Sequence, residues 1–397
     1  MEDSRFITRV VLKNYKSIAA CNVELGPLMF LVGPNGSGKS NFLDALRFVA
    51  DALRYSLEHA LRDRGGISEV RRRSSGHPNN FGLRLEFVLP SGSVGWYAFR
   101  IGARPQGGYE VQKEECVTGP TLSSAFQVQA GRVVTSAPNP PPASPDRLYL
   151  VNLSGYPEFR PVYDALSHMG FYNLNPDRIR DLQSPDAGEL LARDGSNLAS
   201  VLSQLSRHNP AIKRRIEEYL AKVVPGVHGV DARRMGPKDT LEFRQRIAGS
   251  KDPWRFLAAN MSDGTLRALG VLVSLFQSAN GGAPRVPLVG IEEPEVALHP
   301  AAAGVLLDSL HDASEHTQVI VTSHSGDLLD NQRVSMESIL AVDAQEGATQ
   351  IAPLDEAART TLRERLYTPG ELLRLSQLRP DPKAIANPRQ LRLFVDE

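Results

Sequence analysis

Four short stretches of this chain combine residue types that handle phosphate, metal and water. The first is Gly33-Pro34-Asn35-Gly36-Ser37-Gly38-Lys39-Ser40, a full match to the spacing G-x-x-x-x-G-K-[ST]. Glycines let such a loop turn successive N–H groups toward phosphate oxygens. Lys39 is then the group that reaches the β and γ phosphates, and the Ser40 hydroxyl a ligand for Mg²⁺. The second is Glu292-Glu293, at the end of the apolar run Val286–Ile291. Adjacent carboxylates leaving a strand suit phosphoryl transfer, so we assign Glu292 to the metal and Glu293 to the attacking water. The third is His324, in Ser323-His324-Ser325 after the apolar run Gln318–Thr322. At the C-terminal edge of a strand an imidazole can hydrogen-bond a γ-phosphate or the water. Taken alone such a residue is more often a structural or surface histidine, and its place at the end of the strand after Glu292 favours the functional reading. The fourth is Ser262-Asp263-Gly264-Thr265, which opens an apolar helix through Leu269, Val271, Leu272, Leu275 and Phe276. A Ser-x-Gly turn at a helix N-terminus is an anion site on physical grounds, and by itself only a cap.

These residues need elements to hold them. Leu28–Val32 is a continuous apolar run of strand length, and Phe6–Leu12 is rich in β-branched residues. Phe42, Leu43, Leu46, Val49, Ala50 and Leu53 recur near the helical period, so a helix starts at the glycine loop and turns its positive dipole end toward the anion. From Phe81 to Glu115 apolar and polar residues alternate between turn formers, which predicts antiparallel hairpins or a meander. Asp186–Val223 reads as helical and Val227–Ile247 as short strands, while helix and strand alternate from Trp254 onward. The segment from Ala137 to Pro145 is too rich in proline for a regular element and is expected to be a linker or an extended loop. The expected class is α/β.

Composition narrows the alternatives. The chain has 397 residues, with 45 Lys and Arg balanced by 45 Asp and Glu, which excludes a uniformly basic nucleic-acid binder but not a local basic patch. Its 2 cysteines, Cys21 and Cys116, exclude a disulfide scaffold and a four-cysteine zinc site. No run approaches the ~20 apolar residues that span a bilayer, and the N-terminal residues lack the apolar core of a secretory signal. A cytoplasmic protein with no membrane partner is expected.

The order of the four stretches carries a resemblance. Val11–Ile18 resembles the strand that opens the ABC-type ATPase heads of the RecF, SMC and OLD group, within the bacterial proteins called AAA family ATPases. Gly33 to Asn41, Ser262 to Thr265, Ile291 to His299 and Thr322 to Ser325 match the motifs of those heads in order. The resemblance implies a P-loop ABC-ATPase head with a mixed sheet, an antiparallel β sub-lobe and a helical lobe carrying the signature. Expected boundaries are 1–155 for the N-terminal ATPase lobe with its β insert and 156–250 for a helical and β insert. Residues 251–345 would hold the signature helix, acidic strand and switch histidine, and 346–397 a C-terminal tail.

The resemblance further implies ATP and Mg²⁺ as cofactors, with Asn35, Gly36, Ser37, Gly38, Lys39, Ser40 and Asn41 around the nucleotide. Ser40 and Glu292 would hold the metal, and Glu293 and His324 would be catalytic. It implies a homodimer that sandwiches ATP, with Ser262 and Gly264 of one subunit acting on the nucleotide of the other. The leading function is a nucleotide-gated switch for a separate effector, a nuclease in bacterial anti-phage defence. The alternatives are a RecF-like DNA-repair ATPase on duplex DNA and a scaffold that binds ATP without turnover.

The sequence departs from the group's pattern in places. Met261 and Asp263-Gly264-Thr265 replace Leu and Gly-Gly-Gln, Glu292 stands where Asp is usual, and His299 takes the place of an aspartate that couples the two sites. Gln183 is the nearest candidate for the usual Q-loop glutamine. No long heptads lie between Ser40 and Ser262, which excludes a coiled-coil arm. The stretch after His324 is too short for the TOPRIM domain of OLD nucleases, so a stand-alone head is expected.

Basic clusters at Arg71-Arg72-Arg73, Lys213-Arg214-Arg215 and Arg233-Arg234 are candidate contacts for DNA or RNA phosphates, or else solvated faces balanced by acids such as Glu217 and Glu218. The apolar end Leu391–Val395 is expected to pack on the ATPase lobe rather than dock a partner.

Overall fold

Alternating side chains make Ile7–Tyr15 (β1) and Ile18–Glu24 (β2) an antiparallel pair, and the unbroken apolar run Leu28–Val32 forms β3, buried at every position. The computed structural model describes residues 4–74, 76, 78–119, 121–135, 140–277, 286–331 and 333–397. Helices α1 (Lys39–Arg54), α2 (Leu57–Arg62) and α3 (Ile67–Val70) follow. Next come β4 (Asn80–Val88), β5 (Val94–Ala103), β6 (Tyr109–Gly119), β7 (Ser124–Gln129), β8 (Arg132–Thr135) and α4 (Arg160–Ser167). The chain continues through β9 (Gly170–Tyr172), α5 (Pro176–Arg180), α6 (Leu198–His208), α7 (Pro210–Val223), β10 (Val227–Met235), β11 (Lys238–Gln245) and β12 (Trp254–Leu257). It ends with α8 (Asp263–Phe276), β13 (Leu288–Glu292), α9 (Ala303–Ser314), β14 (Gln318–Ser323), α10 (Gly326–Leu329), β15 (Ile339–Gln345), β16 (Ala348–Pro353), α11 (Glu356–Arg363) and α12 (Pro369–Arg374).

The chain divides into two compact units. One comprises Arg5–Met169 with Ser335–Glu397. Its strands run in the order β8-β7-β6-β5-β4-β1-β2-β16-β15-β3, antiparallel except for the pairs β2 with β16 and β3 with β15. The expected meander is β4 to β6, and β7 and β8 extend it. Helix α1 buries Phe42, Leu46, Phe48 and Val49, and the Phe48 ring meets Tyr15, Phe81 and Phe99 edge-on or tilted. The C-terminal stretch folds back as expected, with Leu393 and Phe394 buried against Val11 and Ala98. Of the proline-rich segment, residues 137–139 lie outside the described residues, and residues 140–145 form no regular element.

The other unit comprises Gly170–Val334 and Ser4. Three strands, β9, β13 and β14, run parallel with β13 in the middle, and β10, β11 and β12 form a separate antiparallel sheet. Helices α5, α7 and α9 pack on the apolar α8. The helix expected from Asp186 begins only at Leu198. Upstream, Asp186, Asp194 and Asn197 turn their side chains onto the nearby N–H groups of Gly188, Ser196 and Ala192, which competes with helix formation. Pro210 then starts a second helix behind the cap made by Asn209. Among the described residues no helix is long and apolar enough to cross a membrane, and none exceeds the 16 residues of α1.

Candidate functional site

Strand β3 leads into the glycine loop, and α1 begins at Lys39. Gly36 and Gly38 take φ of 78° and 101°, the left-handed region that glycine enters without penalty. Gly38 occupies the N-cap position and, having no side chain, makes no side-chain cap for α1. Lys39 is buried, and its ammonium donates to the carbonyls of Gly33 (2.8 Å) and Pro34 (3.0 Å). The Ser37 hydroxyl is buried without a hydrogen-bond partner among the described residues. An uncapped helix start, an orphaned hydroxyl and a buried ammonium fit a phosphate group. Asn35, Gly36 and Ser40 are exposed beside them.

The loop is braced from a distant part of the sequence. Thr349, at the start of β16, donates its hydroxyl to the Ser37 carbonyl (2.8 Å) and shares a hydrogen bond with the Ser17 hydroxyl (2.7 Å). Asn41 donates to that same Ser17 oxygen at 2.6 Å. A Cβ on Gly38 would overlap the Thr349 hydroxyl, and one on Gly33 would overlap the Val342 carbonyl, so both glycines are needed for close approach. Further along α1, burial pushes the Asp44 carboxyl up, but Arg64, Lys16 and Arg47 outweigh it and hold the group well below the usual carboxylate range.

In the other unit the acidic strand and the histidine meet. Strands β13 and β14 are parallel and in register, with Ile291 opposite Val321 and Glu292 opposite Thr322. Both chains therefore leave the sheet at one edge. The Glu293 N–H donates to the Thr322 carbonyl at 3.0 Å, and the residue takes a positive φ of 45°. Its Oε1 lies 3.2 Å from His324 Nδ1. Ser323 donates to Glu295 Oε1 (2.6 Å) and accepts the Ser325 N–H (3.0 Å), which fixes the backbone on both sides of the histidine. Burial lowers the pKa of the Arg267 guanidinium, on α8, and the charges of Glu293 and Glu295 oppose that shift. Among the described residues no three His, Cys, Asp or Glu side chains form a metal cage. Glu292 here and the Ser40 hydroxyl of the first unit are each a hard oxygen donor of the kind Mg²⁺ prefers.

Ser262 caps α8: its hydroxyl accepts the Thr265 N–H (3.3 Å) and contacts the Thr265 hydroxyl (2.9 Å), while Ser262 and Asp263 remain exposed. Gly264 lies so close to the Ala297 carbonyl that a Cβ would overlap it. The signature turn is thus in contact with the loop that follows the acidic pair. His299 is exposed and caps the short turn after it, with Nδ1 accepting the Ala301 N–H at 3.2 Å. Gln183 offers nothing to a ligand: it is buried, donating to the Ile179 carbonyl and accepting the Ala199 N–H.

Two polar neighbours escaped the sequence reading. Arg193 pairs with Glu292 at 2.9 Å, and Thr349 braces the glycine loop. Neither sits in a motif, and no local pattern marks them. Most side chains of the basic clusters have partners, several of them in exposed pairs. Arg71 and Arg72 donate to the carbonyls of Pro78 and Ser17, and Arg73 pairs with Glu69. Lys213 pairs with Glu217 and Asp231, Arg215 with Asp312, Arg233 with Glu242 and Arg234 with Asp239.

A glycine loop opening a helix, an acidic strand end facing a histidine, and a serine-capped signature helix define an ABC-type ATPase head of the RecF and SMC group. The chain belongs to the AAA-domain family described as "putative AbiEii toxin, Type IV TA system", which it matches over residues 28–107 and 132–331. It is 27% identical over 238 residues to the DNA replication and repair protein RecF of Magnetococcus marinus, a match that covers 55% of each chain. A stretch of 53 residues is 47% identical to structural maintenance of chromosomes protein 4 of Dictyostelium discoideum, covering 12% of this chain and 4% of that protein. The fold is that of an Smc head domain. The Pyrococcus furiosus head with an extended coiled coil, bound to the C-terminal domain of ScpA, superimposes with a TM-score of 0.56 at 15% identity, over 91% of this chain and 99% of that one. An Smc head bound to the C-winged helix domain of ScpA gives a TM-score of 0.54 at 17% identity, over 89% and 99%.

Proposed function

We propose that this chain hydrolyses ATP with Mg²⁺ and uses the bound nucleotide to hold two copies together as a gated switch. The observation that carries the reading is the Glu293 carboxylate beside His324 at the C-terminal edge of parallel strands, where α/β proteins keep their ligands. Bound Mg-ATP supplies the phosphoryl group and the metal charge that stabilises its transfer. Lys39 and the loop N–H groups would hold phosphate, and Ser40 and Glu292 are the oxygen donors that would meet the metal. Glu293 takes the proton of the attacking water as general base. His324, with its proton on Nδ1, orients that carboxylate and leaves Nε2 for a substrate oxygen or the water. Exposed Ser262 and its neighbour Gly264 act on the nucleotide of the second copy.

The output we favour is control of a separate effector protein, a nuclease in anti-phage defence. The even balance of 45 Lys and Arg against 45 Asp and Glu supports a protein partner over a uniformly basic nucleic-acid face. The similarity to a RecF protein over 238 residues supports the second reading, ATP-dependent binding of duplex DNA.

Sedimentation of the full chain tests the switch. With Mg-ATP, Glu293→Gln should run as a dimer, while Lys39→Ala and Ser262→Arg stay monomeric. A Glu293→Gln protein that stays monomeric with Mg-ATP overturns it. Salt-sensitive, ATP-dependent capture of duplex DNA by the Glu293→Gln dimer would move the output to the second reading.

A further inference from the structure

Residues 186–197 contain no regular element, yet they are fastened at many points. Asn197 receives the Ala192 N–H and donates to the Leu190 carbonyl, and Gln277 receives the Leu191 N–H. The carbonyls of Arg193 and Asp194 accept the N–H groups of Asn173 (3.0 Å) and Asn175 (3.1 Å). Those residues leave β9, which lies parallel to β13 with Tyr172 opposite Ile291. The loop is thereby pinned beside the exit of the acidic strand. Arg193 extends from it, and its Nη2 lies 2.9 Å from Glu292 Oε1. The two side chains are 45% and 19% exposed, and a pair this open adds little to folding. Stability therefore does not account for this pair.

We infer that Arg193 is a positioning residue that occupies Glu292 in place of the metal until Mg²⁺ arrives with nucleotide. The guanidinium satisfies the carboxylate's charge, holds it at the strand exit and keeps unaccompanied divalent cations off it. The pair is weak enough to open when a doubly charged ion competes for the oxygen. This rests on the reading of Glu292 as the metal's anchor.

Manganese(II) is the probe, followed by electron paramagnetic resonance on the full chain with and without a non-hydrolysable ATP analogue. Nucleotide-free Mn²⁺ binding should tighten about five-fold in Arg193→Ala. It should return to the wild-type level in Arg193→Lys and in the double variant Arg193→Ala/Glu292→Gln. The same variants, checked by circular dichroism, should keep the wild-type fold. Unchanged nucleotide-free binding in Arg193→Ala, with nucleotide-dependent binding still weakened by Glu292→Gln, overturns the role of Arg193 and leaves the metal assignment standing. If Glu292→Gln leaves nucleotide-dependent Mn²⁺ binding intact, the metal assignment falls and this inference falls with it.

Discussion

His324 Nδ1 lies 3.2 Å from Glu293 Oε1, across the exits of two neighbouring parallel strands. The relationship depends on register: Glu292 is opposite Thr322, and the Glu293 N–H is tied to the Thr322 carbonyl. A one-residue slip would turn the glutamate to the other face. The proposed roles of the pair, general base and positioner, are open to direct test.

Glu293→Gln keeps the shape and removes the base. Steady-state phosphate release should fall about 100-fold or more, while Mg-ATP affinity measured by calorimetry stays near wild type. His324→Ala should lower kcat about 10-fold or more with a smaller change in KM. Equal turnover in wild type and Glu293→Gln would remove Glu293 from the mechanism.

Lys39→Ala removes the buried ammonium held over the Gly33 and Pro34 carbonyls. Nucleotide affinity should drop at least about 10-fold, since a charge-assisted phosphate contact contributes about 1.5–3 kcal/mol. Fluorescent ATP titration reads this directly.

Thr349→Val deletes the hydroxyl shared by Ser17 and the Ser37 carbonyl. We expect a loss of about 1–2 kcal/mol in denaturant unfolding together with weaker nucleotide binding, because the loop loses its brace. Gly38→Ala should be worse than Thr349→Val. It adds a Cβ into Thr349 and forces alanine to a φ of 101°. The double variant Gly38→Ala/Thr349→Ala should recover only the steric part.

Gly264→Ala places a methyl against the Ala297 carbonyl, so the signature turn must move from the loop after the acidic pair. ATP-dependent dimerisation should weaken more than ATP binding by the monomer. Parallel sedimentation and calorimetry separate the two.

Glu114 gives a pH prediction remote from the site. Burial raises its carboxyl from 4.5 to about 7, against the N–H groups of Tyr149 and Leu150 and the Tyr97 hydroxyl, which favour the charged form. The folded state therefore holds a proton that the unfolded chain has released, so this contribution is greatest below pH 4.5 and is lost as pH rises to about 7. Urea unfolding across that window should show the slope, and Glu114→Gln should flatten it. Because an amide cannot accept from both N–H groups, the variant should also be less stable at the acidic end.

Much of the architecture was legible because it is local. The strand before the glycine loop, the helix after it, the meander from β4 to β6 and the helix behind Ser262 each follow from side-chain period, glycine placement or a cap. Asp186–Asn197 misled for a local reason too: its leucines suggest a helix, while its Asp and Asn side chains bind nearby N–H groups and prevent one.

By itself the sequence determined which residues have the right chemistry: a lysine and serine behind paired glycines, two glutamates ending an apolar strand, and a histidine ending another. Only the tertiary structure decided which side chains attend them. Thr349 reaches the glycine loop through the pairing of β16 with β2, and Arg193 reaches Glu292 because its loop is fastened beside β9, the parallel neighbour of β13. The physical reason is range. Backbone conformation and helix starts are set by residues a few positions apart, whereas strand register brings together side chains that no spacing along the chain relates.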